Sequence, residues 1–297
     1  MLVTNVVGIV QAALYTLNVS PPTSLITSTP QVLQLKHILY DQSRQLRSTR
    51  VWPQQKRTYT FDLVSGQSSY QLPGNYYAAL TDTAWDDDRR LRLIGPMSDA
   101  AFTDRTKGGR GITSTPSYRI FGPDTNSNSS GGQFHIHPTP TSSGETLSFE
   151  YISSDILIPP YWIPSEASIT VGTYRNVNSN IYKCTAITTG TTSTTAPTHT
   201  SGTAVDGGVT WSCDSPINSY EIIISDFDRS VFDDDLMISG VRWRYLQANK
   251  MNYMAYYEGY TALLNSAQAR WTGSTIGSMT SKPAPQRYAS TPGSWTF

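Results

Sequence analysis

The sequence predicts an α+β protein. It reads as a helical bundle of two N-terminal helices and one long C-terminal helix, an antiparallel β-sandwich or barrel, and a small all-β module inserted in it. Three observations carry this. Residues 230–271 keep apolar residues at helical spacing, the pattern switches to period 2 after Trp52, and residues 165–216 have a strand-and-turn code of their own. The expected divisions are 1–52 for the N-terminal helices, 53–164 for the β domain and 165–216 for the module, immunoglobulin-like or carbohydrate-binding-like. Residues 217–271 then supply a returning strand and the long helix, and 272–297 an extended arm.

Residues 4–18 place Val6, Val7, Ile9, Val10, Ala13, Leu14 and Leu17 on one broad stripe that ends before Pro21 and Pro22. A second helix is expected to start with Thr29 as cap and Pro30 at its first position, running to about Thr49. Val32, Leu35, Ile38, Leu39 and Leu46 make its apolar face. Lys36, Asp41, Arg44, Arg47 and Arg50 make a polar one, either a solvated surface or a face toward a neighbouring subunit or DNA.

After Trp52, Tyr59, Phe61 and Leu63 alternate with Thr58, Thr60 and Asp62, which is a strand with one buried face. Further strands are expected at Leu91–Ile94, Ser117–Phe121, Gln133–His137 and Leu147–Tyr151, joined by the Gly-, Asn- and Ser-rich loops TKGGRGITSTP and GPDTNSNSSGG. In 165–216, Tyr174, Val177, Tyr182 and Cys184 alternate, and an Asp-Gly turn leads to a last strand through Trp211. Tyr174, Tyr182 and Trp211 serve either as a sugar-stacking platform or as the core of a small sandwich. Cys184 and Cys213 are the only cysteines; whether they are bonded is left open, although reducing cytosol favours thiols.

From Trp243, the residues Leu246, Tyr253, Tyr257, Tyr260, Leu264, Ala267 and Trp271 follow one 3,4 register interrupted only at Lys250. Ser230 is the expected cap, with Asp233–Asp235 at the positive dipole end and Gly273 after the last turn. Such a helix would span roughly 60 Å at 1.5 Å per residue. That exceeds what one small domain covers, so part of it should meet another molecule. The remaining stretch, TGSTIGSMTSKPAPQRYASTPGSWTF, has no periodicity and reads as an arm ordered by a partner, with Trp295 and Phe297 as anchors.

Composition bounds the function. Charged residues are 15% of the 297, against about 25% usually, and the formal net charge is zero. A general nucleic-acid binder would carry a basic excess, though a protein that nucleic acid merely passes need not. No basic leader and no apolar run of membrane length is read, so a soluble protein made in the cytoplasm is expected. There is no phosphate loop, no GxSxG and no HExxH. His135 and His137 share one strand face without completing a metal set, and Asp86, Asp87 and Asp88 beside Arg89 and Arg90 read as a solvated loop or docking patch more readily than as a glycosidase pair. No catalytic residue, metal or cofactor is expected.

The segments EIIISDFDRS and FDDDLMISGVRWRYLQANKMNYMAYYEGYTALLNSAQARW, with the core GVRWRY and the aromatic run MNYMAYYEGY, resemble the C-terminal part of head-to-tail adaptor (connector) proteins of tailed bacteriophages. That group includes the tail tubular protein A type of short-tailed phages. The resemblance implies a structural virion protein of the neck: a ring, of 12 copies, that docks on the portal protein, continues the DNA channel and attaches a tail nozzle or tube protein, with tail fibres as further candidates and no membrane. Candidate contacts to portal or neighbour are Arg242, Arg244, Lys250, Gly259, Tyr256, Arg287, Tyr288, Trp295 and Phe297. Gly240 is a second point of close backbone approach. The alternatives are a receptor- or glycan-binding tail protein acting through the module, and a cell-wall hydrolase using Asp86 or Asp88.

Overall fold

The computed structural model describes residues 5–107, 115–122, 132–177, 180–214 and 222–272. Both glycine-rich loops fall largely outside these ranges, and the arm with Arg287, Tyr288, Trp295 and Phe297 lies wholly outside them.

Helix α1 (Val6–Tyr15) is opened by Asn5, whose carboxamide oxygen accepts from Gly8 N at 2.8 Å. Helix α2 (Pro30–Thr49) starts on Thr29, whose hydroxyl accepts from Val32 N, with Pro30 at its first position. A single 3₁₀ turn leads into β1 (Lys56–Asp62), followed by β2 (Ser69–Gln71), β3 (Tyr76–Ala79), β4 (Trp85–Asp86) and β5 (Leu91–Arg92). Helix α3 (Asp99–Lys107) follows; it is absent from the sequence reading because it buries only Phe102. Strands β6 (Ser117–Phe121), β7 (Gln133–His137) and β8 (Thr146–Ser153) complete two sheets, one ordered β1-β8-β4-β5 with β3 also on β8, the other β2-β7-β6.

These two sheets face each other across one aromatic core. Phe134 of β7 stacks on Phe149 of β8 at 5.4 Å between ring centroids and on Tyr118 of β6 at 4.6 Å. Leu63, Leu93 and Leu147 fill around them. The period-2 pattern places Tyr59 and Phe61 of β1, Phe134 and Ile136 of β7, and Leu147, Phe149 and Tyr151 of β8 in this core.

Strand β9 (Leu157–Ile158) pairs with β14 (Arg229–Ser230). Between them lies a separate sheet of β10 (Tyr174–Val177), β11 (Asn180–Ile187), β12 (Thr203–Asp206) and β13 (Val209–Cys213), ordered β10-β11-β13-β12. Its core is Ile169, Tyr182, Cys184, Val209, Trp211 and Cys213. Cys184 and Cys213 are buried thiols not joined to each other. Ile181 and Tyr174 of the same sheet turn the other way and pack on the helical core, so the module is seated against the helices.

The expected bundle with one long C-terminal helix is overturned. The segment forms two helices, α4 (Asp234–Ala248) and α5 (Met254–Thr272), packed on each other. The cause is local. Met251 N donates to Leu246 O at 2.8 Å and Lys250 N to Gln247 O at 3.0 Å, which is a Schellman ending with Lys250 in the left-handed region at φ 57°. Asn249 Nδ2 also satisfies Tyr245 O at 2.8 Å. The cap differs as well: Asp233 accepts from Asp235 N at 3.0 Å, whereas Ser230 serves the turn before it by accepting from Phe232 N. Helices α1, α2, α4 and α5 share one core with Trp52, Leu157 and Ile223.

Candidate docking surface

The α4–α5 hairpin is held from inside by one polar junction. Gln42 sits on the apolar stripe of α2, between Leu39 and Leu46, and is fully buried. Its Nε2 donates to the Tyr260 hydroxyl at 3.0 Å, and its Oε1 accepts from Arg244 Nε at 2.9 Å. Arg244 also reaches Gln45 and lies over the Trp243 ring. Burial lowers the Arg244 pKa, offset by Asp41 and Tyr260, and burial raises that of Tyr260. Gly240 of α4 permits this arrangement, because a Cβ there would overlap the Gln42 amide. Trp243 is the apolar centre, with the rings of Tyr257 at 5.1 Å and Tyr260 at 6.0 Å. Arg50 NH1 donates to Gln268 O at 2.8 Å and ties the end of α2 to α5.

The outer side of α5 is a different surface. Along its described positions only Tyr260 and Ala267 are buried, and its only charged residues are Glu258 and Arg270. Met254 is 54% exposed, and Met251 just before the helix 51%. Tyr256, Tyr257 and Leu263 are exposed too. Tyr256, Gly259 and Leu263 stand at i, i+3 and i+7, on one face. A Cβ at Gly259 would meet nothing within 4 Å, so the glycine is a shallow notch between two large apolar side chains. Exposed Glu258, Asn265, Ser266 and Arg270 share the outer side, so the uncovered apolar patch is confined to Met254, Tyr256 and Leu263 around the notch and is the candidate contact.

The proposed contact residues therefore separate. Tyr256 and Gly259 lie on the outer face, and Lys250 is exposed at the helix break. Arg244 is spent inside the chain. Arg242 is half-buried, and its Nε has no hydrogen-bond partner among the described residues. Met251, Met254 and Leu263 were not singled out from sequence; the signal was the lack of a charged face on 254–270. Gln42 was missed too, though a glutamine inside an apolar stripe marks a buried polar contact.

Other candidates are engaged elsewhere. The basic side of α2 loses Arg47, which donates to Ser154 O at 2.6 Å, and Arg50. Asp86 is buried and accepts from Arg89 N at 2.9 Å, Asp87 accepts from Ser148 Oγ at 2.8 Å, and Asp88 accepts from Thr146 N at 2.6 Å. These carboxylates brace the edge of the sheet. His135 bonds Ser69 and Gln133, and burial together with Arg119 lowers its pKa. Among the described residues no group of three or more His, Cys, Asp or Glu could hold a metal ion. No described helix is long and apolar enough to cross a membrane.

The module's aromatic residues form no open platform. Trp211 and Tyr182 are buried, with Trp211 Nε1 donating to Asp206 at 2.9 Å and the Tyr182 hydroxyl to His199 O at 2.8 Å. Tyr174 packs toward the helical core under Lys183. Asp206 also accepts from Trp162 Nε1 at 2.8 Å and Ser193 N at 2.7 Å. Burial pushes its pKa up, but these hydrogen bonds outweigh it and hold the carboxyl below its ordinary value.

Comparison with known families matches residues 5–167 to the SU10 adaptor protein family. That is more than half of the chain, and it covers α1, α2 and the β-sandwich, ending at the entry to the four-stranded module. It lies away from the C-terminal segment on which the sequence resemblance was read. No curated protein matches.

Proposed function

The chain belongs to the SU10 adaptor protein family, a structural class of phage adaptor proteins and not a class of enzymes, and we propose that it forms a ring that docks on the portal, continues the DNA channel and attaches the tail. The observation that carries the docking is the exposed apolar patch on the first half of α5, where Met254, Tyr256, Gly259 and Leu263 are left in solvent with Glu258 as the one charge among them. A closed ring needs two different complementary faces on each subunit. The outer face of α5 is one of them or the seat on the portal, with Lys250 at the helix break and Arg242 of α4 as further contacts. The segment 273–297, with Arg287, Tyr288, Trp295 and Phe297, extends the contact from the end of α5. The copy number of 12 is taken from the adaptor resemblance. The module, entered at about residue 165 and left at about 216, is proposed as an insertion that rests on the helical core.

Co-assembly with the cognate portal tests this, comparing the full chain, a chain ending at Trp271 and a Tyr256→Asp, Leu263→Asp double variant by mass and negative-stain symmetry. Rings on the portal that fail for the variant and the truncation support the reading. A full chain that stays monomeric beside a competent portal removes it.

A further inference from the structure

Strand β1 ends its sheet with an edge that nothing among the described residues covers. Leu63 N donates to Glu145 O at 2.7 Å. With the registers Phe61↔Leu147, Tyr59↔Phe149 and Arg57↔Tyr151, the antiparallel alternation turns the backbone groups of Arg57, Tyr59 and Phe61 toward β8. Those of Lys56, Thr58, Thr60 and Asp62 therefore point outward. Lys56 is satisfied locally, its N–H on Pro53 O and its C=O on the Arg57 guanidinium. The outward N–H and C=O of Thr58 and Thr60 reach no described residue.

Proteins blunt such edges with proline, a bulge, a short strand or an inward charge. Strand β1 has seven residues in unbroken register, no proline, and Tyr59 and Phe61 inward, while Arg57 at the start of the same face is occupied with Gln54 O and Lys56 O. Tyr59 and Phe61 stay only partly buried, because no next strand closes over them. The charges lie at opposite ends: Lys56 and Arg57 begin the strand and Asp62 ends it.

We propose that β1 pairs with β1 of a second copy of this chain, antiparallel about a two-fold axis. Thr58 then exchanges both ladder bonds with the second copy's Thr60, and Thr60 with its Thr58. In that register Lys56 faces the second copy's Asp62, and Tyr59 faces its own equivalent. Opposite charges, Thr–Thr pairs and aromatic pairs are favourable cross-strand neighbours. The charges that would repel a random edge thus select this register. A two-fold contact is isologous and closed, so it is no part of a cyclic ring. It belongs to the subunit before assembly, and the test does not depend on the ring reading.

Sedimentation of the full-length chain against concentration tests the pairing. The wild type is expected to reach a dimer. Thr60→Pro removes one outward N–H and leaves the β1–β8 ladder intact, and should weaken the dimer by about tenfold or more with unchanged thermal unfolding. Asp62→Lys should do the same, and adding Lys56→Asp should restore the dimer, which a merely unfolded variant cannot do. Portal ring formation by Thr60→Pro should be unaltered. A monomeric wild type at millimolar concentration, a dimer indifferent to Thr60→Pro, or a charge swap without rescue overturns the proposal. So does a chain that dimerises only after removal of residues 273–297, which would assign the edge to that segment.

Discussion

The Gln42 side chain donates to the Tyr260 hydroxyl at 3.0 Å inside the helical core, joining residues 218 positions apart. Tyr260→Phe keeps the ring on Trp243 and leaves the buried Gln42 N–H without an acceptor. An unsatisfied buried donor costs about 1–3 kcal/mol. Chemical denaturation should show a lower midpoint at unchanged slope. Equal stability of wild type and Tyr260→Phe would mean that the junction is solvated.

Lys250 holds a left-handed conformation in which a side chain is strained and glycine is not. Lys250→Gly should therefore stabilise the chain, by about 0.5–1 kcal/mol after the entropy of the more flexible unfolded state is counted. Were 234–272 one continuous helix, the same change would destabilise by about 1 kcal/mol. The sign of the change in unfolding midpoint decides between a hairpin and a single rod.

That contrast also shows where the sequence was readable. Thr29 followed by Pro30 is a start signal with its own chemistry, and α2 begins there. The alternation through Tyr59, Phe61, Phe149 and Tyr151 likewise sets which side of each strand faces inward. The turn at Asn249–Tyr253 carries no glycine or proline, and the 3,4 spacing of Trp243, Leu246, Tyr253, Tyr257 and Tyr260 serves a folded hairpin as well as a rod. In the hairpin these residues face each other across two helices, which periodicity alone cannot tell from one face of a single helix. The module's Tyr182 and Trp211 pose the same ambiguity, since alternating aromatics suit a core or a platform. The outer face of α5 was legible only as a missing charge pattern.

The Asp206 carboxylate takes hydrogen bonds from Trp162, Trp211 and Ser193, and so pins the segment that enters the module to its core. Its pKa is depressed in the folded chain. The stabilisation it provides is then present above the unfolded value of about 3.9 and is lost as pH falls through the lower folded value. Asp206→Asn sets an amide N–H₂ against a ring of donors and should cost about 2 kcal/mol at neutral pH. Tryptophan fluorescence against pH is the readout. The wild type should lose its buried Trp signal only below about pH 4, and the variant should lack that acid step.

Gly240 and Gly259 lie on consecutive helices, and alanine at each should act with opposite sign. At Gly240 a methyl overlaps the Gln42 amide, which cannot retreat without releasing Tyr260 and Arg244. Loss of those bonds should outweigh the helix gain and lower stability by about 1–3 kcal/mol. At Gly259 the space is open, so alanine adds about 1 kcal/mol of helix propensity to the free chain. If the notch between Tyr256 and Leu263 receives a partner's backbone, Gly259→Leu should leave the free chain folded and impair ring formation on the portal. Thermal unfolding and portal co-assembly, measured on the same preparations, separate the two effects. A Gly259→Leu chain that assembles like wild type would move the docking surface off this face of α5.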